Sequence, residues 1–397
     1  MVPFDGFAYF AILLFVLPAA VALRLVSSTA RAAILLSTIL MLALQYGGTN
    51  ATVGRVLVGT STTIAAHAVY QWLLAAGLAA LARRRGASLG AAARPPRAAS
   101  CLAIALGILP LALVKFRPDL DSLVGFLGLS YVTFRSLDVL FSIHDGAIDR
   151  FPALEYLAFL FCFPTISSGP IDRYRRFAAD WRRPRDRAAL VSDLDTAVHK
   201  VFTGFFYKFI LASLIAQRWM NPASHHHGPG AMLSYMYAYS FYLFFDFAGY
   251  SAFAIGVSHV IGVRTPENFR RPFLARNIRE FWDRWHISLS WWFRDQVYMR
   301  FLLLSTKKRW FASRYVASYA GLILSFGLMG VWHGPQVRYL LYGLYHAALV
   351  IGHDAYTRMV PRTIGRERSW RRDAWATALT FHAVCFGFLL FSGRLIS

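Results

Sequence analysis

Apolar segments long enough to enter a lipid bilayer recur along almost the whole chain. Hydrophobic residues make up 57% of the 397 residues and charged residues only 16%, whereas about a quarter of the residues in soluble domains are charged. The sequence therefore predicts an all-α, polytopic integral membrane protein with about eleven membrane segments. These segments lie near residues 7–26, 32–46, 56–82, 100–115, 122–142, 153–169, 200–220, 231–262, 314–332, 338–357 and 374–392.

The formal net charge of +22 comes largely from arginines in the loops between the apolar segments. In a soluble protein this charge would suggest nucleic-acid binding, but here it follows the positive-inside bias, so no nucleic-acid partner is expected. The loops at 47–54 and 221–230 carry almost no cationic charge, and we predict that they and the N-terminus are external. Four basic regions are predicted to be cytoplasmic: 83–97, 173–187, 264–309 and 358–372.

Two apolar segments between residues 122 and 170 lead from an external loop to a basic one, which two ordinary crossings would not do. We therefore predict that the stretch from Pro164 to Pro170 is re-entrant or broken, and that it is buried against protein. The chain contains no internal repeat, low-complexity tract or appended soluble domain. It is predicted to form a single membrane domain over residues 1–397.

The segment from Arg276 to Asp295 is unusually polar for a membrane protein, because it combines four tryptophans, a histidine and several charged side chains. Helical spacing predicts an amphipathic helix in or near the membrane interface. One stripe of this helix would contain Trp282, His286, Leu289 and Phe293. A second, polar stripe would contain Arg276, Arg279, Asp283, Ser290 and Arg294.

A second candidate histidine, His333, follows in an apolar setting, and it is preceded by a tryptophan as His286 is. The three cysteines have no CxxC spacing, which argues against a thiolate metal site or a disulfide framework. Consecutive histidines at 225–227 give poor convergent geometry for a metal. We therefore expect no metal, and the two tryptophan-flanked histidines are the candidates for catalysis.

These motifs resemble those of the membrane-bound O-acyltransferase (MBOAT) superfamily, in which a polar-flanked histidine precedes a second histidine in a hydrophobic stretch. The resemblance is closest to the D-alanyl transfer (DltB-type) branch, and it extends from about Phe126 to the C-terminus. It divides the chain into variable N-terminal spans at 1–115 and a motif-bearing core at 120–397. The matching blocks are Phe163–Phe177, Phe245–Ser251, Thr265–Phe273, Phe281–Ser290, Trp292–Phe301 and Met329–Gly334.

The resemblance implies a helical ring around a thin, tunnelled core in the cell membrane, with both histidines lining the passage. It implies a donor in which D-alanine is held as a thioester on the phosphopantetheine arm of a small acidic carrier protein. The chain itself would bind no cofactor. The acceptor would be a hydroxyl group outside the membrane, which is on teichoic acid in Gram-positive members. A small single-span helper protein and an extracytoplasmic partner are further implied.

Acyl transfer to an alcohol requires a base that accepts the hydroxyl proton, and histidine suits this task near neutral pH. We assign this role to His333, because the flanking glycines allow a substrate to approach closely. His286 is expected to orient the donor through its thioester carbonyl or pantetheine amide. The predicted supporting residues of the tunnel are Trp285, Trp332, Trp282, Ser288, Arg294, Asp283 and Asp246. Asp246 and Asp138 lie in apolar segments, so each is expected to pair with a core arginine.

The chain contains no GxSxG or reactive-cysteine signature, which favours direct transfer, although an acylated helper protein remains an alternative. Apolar residues beside a cluster of cations are predicted to dock the carrier protein. These residues are Met299, Arg300, Leu302, Leu303, Lys307 and Lys308. The same side chains would equally suit contact with membrane lipid and anionic headgroups.

Two other functions remain open from the sequence. One is O-acetylation of an exported polysaccharide from acetyl-CoA, and the other is transport without chemistry, for which broken helices and intramembrane charges are also expected.

Overall fold

Every regular element in the described part of the chain is helical, which confirms the predicted all-α class. The computed structural model describes residues 2–26, 30–46, 53–89, 94–183, 186–226, 228–360 and 369–396. The helices are α1 (Phe7–Leu25), α2 (Ala30–Tyr46), α3 (Val53–Leu89), α4 (Arg97–Phe116), α5 (Asp121–Val124), α6 (Leu129–His144), α7 (Ala153–Leu160), α8 (Tyr174–Arg182), α9 (Arg187–Phe205), α10 (Ser213–Ile215), α11 (Asn221–His225), α12 (Pro229–Ile261), α13 (Ile278–Trp282), α14 (Ile287–Phe293), α15 (Met299–Lys307), α16 (Arg314–His333), α17 (Val337–Met359) and α18 (Trp370–Ser392).

Seven helical segments among the described residues are long and apolar enough to cross a membrane. The polytopic architecture is therefore confirmed, whereas the predicted count of about eleven membrane segments is not. Two shorter apolar helices, Arg31–Tyr46 and Ala153–Thr165, coincide with predicted segments. The seven candidate spans are Phe7–Leu25, Thr62–Ser88, Arg97–Phe116, Arg187–His225, Pro229–Ile261, Arg314–His333 and Trp370–Ser392.

The chain divides into two compact units. The first contains Met1–Gly204 and Tyr250–Pro266, and the second contains Phe205–Gly249 and Glu267–Ser397. Most of the external loop predicted at 47–54 lies outside the described residues, as do 90–93, 361–368 and His227 within other predicted loops.

In the first unit, a buried arginine stabilises the segment that was predicted to be broken. α7 ends at Leu160, a short 3-10 turn covers Phe163–Thr165, and the chain then stays non-helical until α8 begins. Arg135 on α6 is fully buried and donates hydrogen bonds to the carbonyls of Phe159, Leu160 and Thr165. The guanidinium thus satisfies carbonyl groups that the interrupted helix leaves unpaired. The predicted break is confirmed.

The predicted pairing of the two membrane aspartates is confirmed for one of them. In the first unit, the Oδ1 atom of Asp138 lies 2.7 Å from Nη1 of Arg173, and its Oδ2 atom accepts from the backbone N–H of Tyr174. In the second unit, Asp246 pairs with Lys208 at 2.7 Å, so the prediction of an arginine partner is wrong there. Lys208 reaches Asp246 from a turn of wider, π-helical winding at Phe206–Ala212.

In the second unit, α16 and α17 form a closely packed antiparallel pair. The Ser313 side chain caps α16 by accepting from the N–H of Tyr315, and the helix ends at His333, immediately before Gly334 and Pro335. A β-carbon on Gly330 would collide with the backbone of Tyr339 on α17. Only glycine therefore permits this approach, which fixes His333 close to α17.

Loop contacts within the second unit agree with the sides assigned from the arginines. Arg394, just after α18, donates to the carbonyl of His226 in the predicted external loop. Arg276 from a predicted cytoplasmic region pairs with Asp373 at 3.2 Å, at the opposite end of α18. The two ends of α18 therefore contact loops that are predicted to lie on opposite sides of the membrane.

Candidate active site

The segment from Arg276 to Asp295 is not one helix, so the predicted continuous amphipathic helix is wrong. Asn277 caps the short helix α13 by accepting from the N–H of Glu280, and α13 ends at Trp282. His286 then adopts a left-handed conformation, with φ of 41°, immediately before α14 begins. This conformation costs a non-glycine residue about 1–2 kcal/mol, so surrounding contacts must stabilise it.

Asn268 provides those contacts through both its backbone and its side chain. Its carbonyl accepts from the N–H of Ile287 at 2.9 Å. Its Oδ1 atom accepts from the hydroxyl of Ser288 at 2.9 Å and from the N–H of Ser288 at 3.3 Å, and it lies 3.0 Å from Nδ1 of His286. Asn268 is fully buried. The sequence did not single out Asn268 as a site residue. The one indication was its place in Thr265–Phe273, a block that resembles the family.

The same contacts define which nitrogen of His286 carries the proton. A backbone N–H can only donate, so the Asn268 atom facing Ser288 must be the carboxamide oxygen. Nδ1 of His286 faces this oxygen and therefore carries hydrogen in the neutral ring, which leaves Nε2 as an acceptor. Burial lowers the pKa of His286 to about 3, with the charge of His333 as a smaller cause. His286 is thus neutral at physiological pH, and its Nε2 atom cannot donate to a thioester carbonyl.

Both candidate histidines line one small cavity of about 60 Å³. The His286 ring packs nearly perpendicular to Phe247 with 4.7 Å between ring centroids, and His333 packs nearly perpendicular to Phe391 at 4.9 Å. The cavity lies within the second unit, and its lining is almost wholly apolar apart from the two imidazoles. The lining residues are Leu243, Phe247, Trp282, Trp285, His286, Leu289, Met329, His333, Tyr342, Phe388 and Phe391.

A second, larger cavity of about 350 Å³ borders the first, because Trp282 and Met329 line both. It contains four members of the predicted polar stripe, namely Arg279, Asp283, Ser290 and Arg294. Its lining therefore combines charged and apolar side chains. The other lining residues are Trp291, Phe293, Tyr298, Ser318, Leu322, Ser325, Phe326, Val350 and Asp354.

The structure brings together most of the predicted site residues, but not all of them. Trp282 and Trp285 line the histidine cavity, whereas Trp332 lies beside it with its ring 4.6 Å from that of His333. Ser288 contacts Asn268, which in turn contacts His286. Asp246 is not part of the described lining of either cavity.

The comparisons with known proteins bear on what such a site does. A family model described as "MBOAT, membrane-bound O-acyltransferase family" matches residues 116–393. The chain belongs to this family. A teichoic acid D-alanyltransferase of Bacillus subtilis is 45% identical over 74% of this chain and 78% of its own length. The corresponding protein of Lacticaseibacillus rhamnosus is 42% identical over 74% of this chain and 76% of its own length.

More distant relatives carry a different acyl specificity. A probable alginate O-acetylase of Pseudomonas syringae is 30% identical over 67% of this chain and 48% of its own length. Family membership and the apolar helices together identify a multi-pass membrane acyltransferase.

We expect Asn268→Ala to lower the rate of acyl transfer by about 10- to 100-fold, because the ring orientation and tautomer of His286 would no longer be fixed. The measurement is turnover with a labelled acyl donor by protein purified in detergent. Asn221→Ala, at an exposed position on α11, is the matched control and should keep wild-type turnover. Wild-type turnover by a well-folded Asn268→Ala protein would contradict the positioning role.

Proposed function

We propose that this protein transfers a D-alanyl group from a carrier-protein thioester to a hydroxyl group of teichoic acid. The observation that carries the proposal is the pair of histidines in one buried, mostly apolar cavity. The names of the relatives at 42–45% identity support D-alanine as the acyl group and teichoic acid as the acceptor.

In the proposed reaction, His333 accepts the proton of the acceptor hydroxyl while the hydroxyl oxygen attacks the thioester carbonyl. The tetrahedral intermediate collapses by breaking the carbon–sulfur bond, and the departing thiolate takes the proton from His333. His286 orients the donor by accepting, at Nε2, a hydrogen bond from a pantetheine amide N–H. The apolar lining excludes water, which would otherwise hydrolyse the thioester.

The donor arm is proposed to reach the histidines through the larger cavity. Arg279 and Arg294 line this cavity, where they pair with Asp354 and Asp295, and their guanidinium groups suit the phosphate of a phosphopantetheine arm. Trp282 and Met329, which separate the two cavities, would have to allow the arm to pass. The phosphopantetheine belongs to the carrier protein, so the chain itself supplies only the passage. The small helper and the extracytoplasmic partner remain proposals that rest on the family resemblance.

Replacing His333 by alanine should lower transfer by about 10²-fold or more, because the remaining histidine of the cavity, His286, has a pKa that burial lowers and is therefore a weaker base. The measurement is single-turnover transfer of D-alanine from loaded carrier protein to teichoic acid in reconstituted vesicles. His286→Ala should also reduce the rate, with a larger effect on donor binding than on the chemical step.

His382→Ala is a matched control, because this exposed histidine on α18 lies outside both cavities. It should transfer D-alanine at the wild-type rate. Near-normal turnover by His333→Ala would refute the assignment of the base, and it would favour an acyl intermediate on another protein.

Helix α15 supports the proposed carrier-docking surface, which contains Met299, Arg300, Leu302, Leu303, Lys307 and Lys308. Leu303 is 67% exposed and Met299 is 40% exposed, while both lysines are exposed at the end of the helix. Exposed apolar area beside cations suits an acidic protein that presents an apolar patch.

We expect Leu303→Asp to abolish capture of the loaded carrier protein by the purified membrane protein, because it places a like charge and a polar group in the apolar contact. Reversing the charges of Lys307 and Lys308 should weaken capture chiefly at low salt. Leu274→Asp, at an exposed position of the same predicted cytoplasmic region but outside α15, controls for a general effect of an added charge. Wild-type capture by the Leu303→Asp protein would mean that α15 faces lipid instead.

The alternative of acetyl transfer from acetyl-CoA is favoured only by the relatives named as alginate O-acetylases. It predicts transfer from acetyl-CoA in the absence of any carrier protein. Transport without chemistry is disfavoured by membership in an acyltransferase family.

A further inference from the structure

Two arginines lie close to the turn between α16 and α17, near the end of α16 that carries His333. Arg338 is in the first turn of α17, and Arg394 follows the last turn of α18. Gly393 has a left-handed φ of 80°, and a β-carbon there would collide with the guanidinium of Arg338. The two arginines are therefore neighbours across the ends of two helices.

Neither arginine has a carboxylate partner among the residues that the structure describes. Both are only partly exposed, and the Nε atom of each is buried without a hydrogen-bond partner. Arg338 lies over the ring of Tyr339 at 4.9 Å, and Arg394 lies over that of Tyr235 at 5.0 Å. Other partly buried arginines in the same unit, such as Arg276 and Arg284, pair with acids instead.

The position of these cations makes an anion the expected partner. The first turn of α17 carries no acidic residue, so its positive end adds to the potential of the two guanidinium groups. Aromatic rings hold the guanidinium planes in place without neutralising their charge. Planar guanidinium groups with free N–H donors match the geometry of phosphate oxygens.

The arginines are also close to the proposed catalytic base. The ring of Tyr339, adjacent to Arg338, lies 6.0 Å from that of His333 and 5.0 Å from that of Phe391. Phe391 lines the histidine cavity and precedes Arg394 by three residues. An anion held by the two arginines would therefore lie beside the cavity, on the side assigned as external.

We propose that Arg338 and Arg394 bind a phosphodiester group of the acceptor polymer and so hold the polymer beside the cavity that contains His333. The inference rests on the proposed function, because it assumes that the acceptor carries phosphate. A phospholipid headgroup offers the same phosphodiester chemistry, and the experiment distinguishes the two sources.

The test measures binding of a fluorescent glycerol phosphate oligomer to the full-length protein in nanodiscs of zwitterionic phosphatidylcholine, with no acyl donor present. We expect the Arg338→Gln/Arg394→Gln double variant to bind at least about ten-fold more weakly than wild type, and the corresponding double lysine variant to retain part of the affinity. An uncharged polyglycerol of equal length should bind equally poorly to all variants. Arg371→Gln is the control, because Arg371 also rests on an aromatic ring but lies at the opposite end of α18.

A second arm measures transfer to the same oligomer. The double glutamine variant should show a raised KM for the oligomer, with kcat changed by less than about three-fold, whereas a merely structural role would lower kcat as well. Unchanged oligomer binding by the double glutamine variant would overturn the proposal. The double glutamine variant could instead differ from wild type only when the protein is in nanodiscs that contain phosphatidylglycerol. That result would overturn the assignment to the acceptor and assign the site to a lipid headgroup. Arginine-dependent binding without any D-alanyl transfer would refute the proposed function alone.

Discussion

The geometry of the site depends on the single carboxamide oxygen of Asn268. It contacts Nδ1 of His286 and both donors of Ser288, while the backbone carbonyl of Asn268 accepts from the next residue, Ile287. These bonds stabilise a left-handed histidine that an isolated chain would avoid. They also define which nitrogen of His286 carries the proton. The other nitrogen, Nε2, can therefore accept a hydrogen bond from a substrate N–H group but cannot donate one. A buried polar group that satisfies three donors at once is costly to replace, since removing it leaves several buried atoms unpaired.

The second requirement is that His333 reaches the same cavity from another helix. Gly330 on α16 and Gly343 on α17 permit the two backbones to approach closely, because a side chain at either position would collide with the partner helix. Membrane helices commonly pack through small residues. The surrounding lipid is itself apolar, so van der Waals contact between the helices replaces the hydrophobic effect. Both histidines therefore line the same cavity. The Asn268 side chain fixes His286, and the close contact of α16 with α17 at Gly330 and Gly343 fixes His333.

The sequence predicted the helical class, the membrane location and both histidines, because apolar length and residue type are read directly from the chain. It also predicted the break after α7, from the conflict between two apolar segments and the sides of their flanking loops. It failed where tertiary contacts override local periodicity. The spacing of Trp282 and His286 fits one helix, but Asn268, eighteen residues before His286, imposes a turn between them. The partner of Asp246 was likewise predicted as arginine, because nothing local shows that a π-helical turn carries Lys208 to it.

In the proposed reaction, the acyl group passes from the thioester to the acceptor hydroxyl inside the small apolar cavity that His286 and His333 line. The most direct measurement is a structure of the protein with a carrier protein whose arm holds D-alanine through a non-hydrolysable amide. The acyl carbonyl should lie in this cavity, within about 4 Å of the His333 ring and with an arm amide facing Nε2 of His286. An arm that ends elsewhere, with the histidine cavity closed, would mean that the two histidines are not the site of transfer.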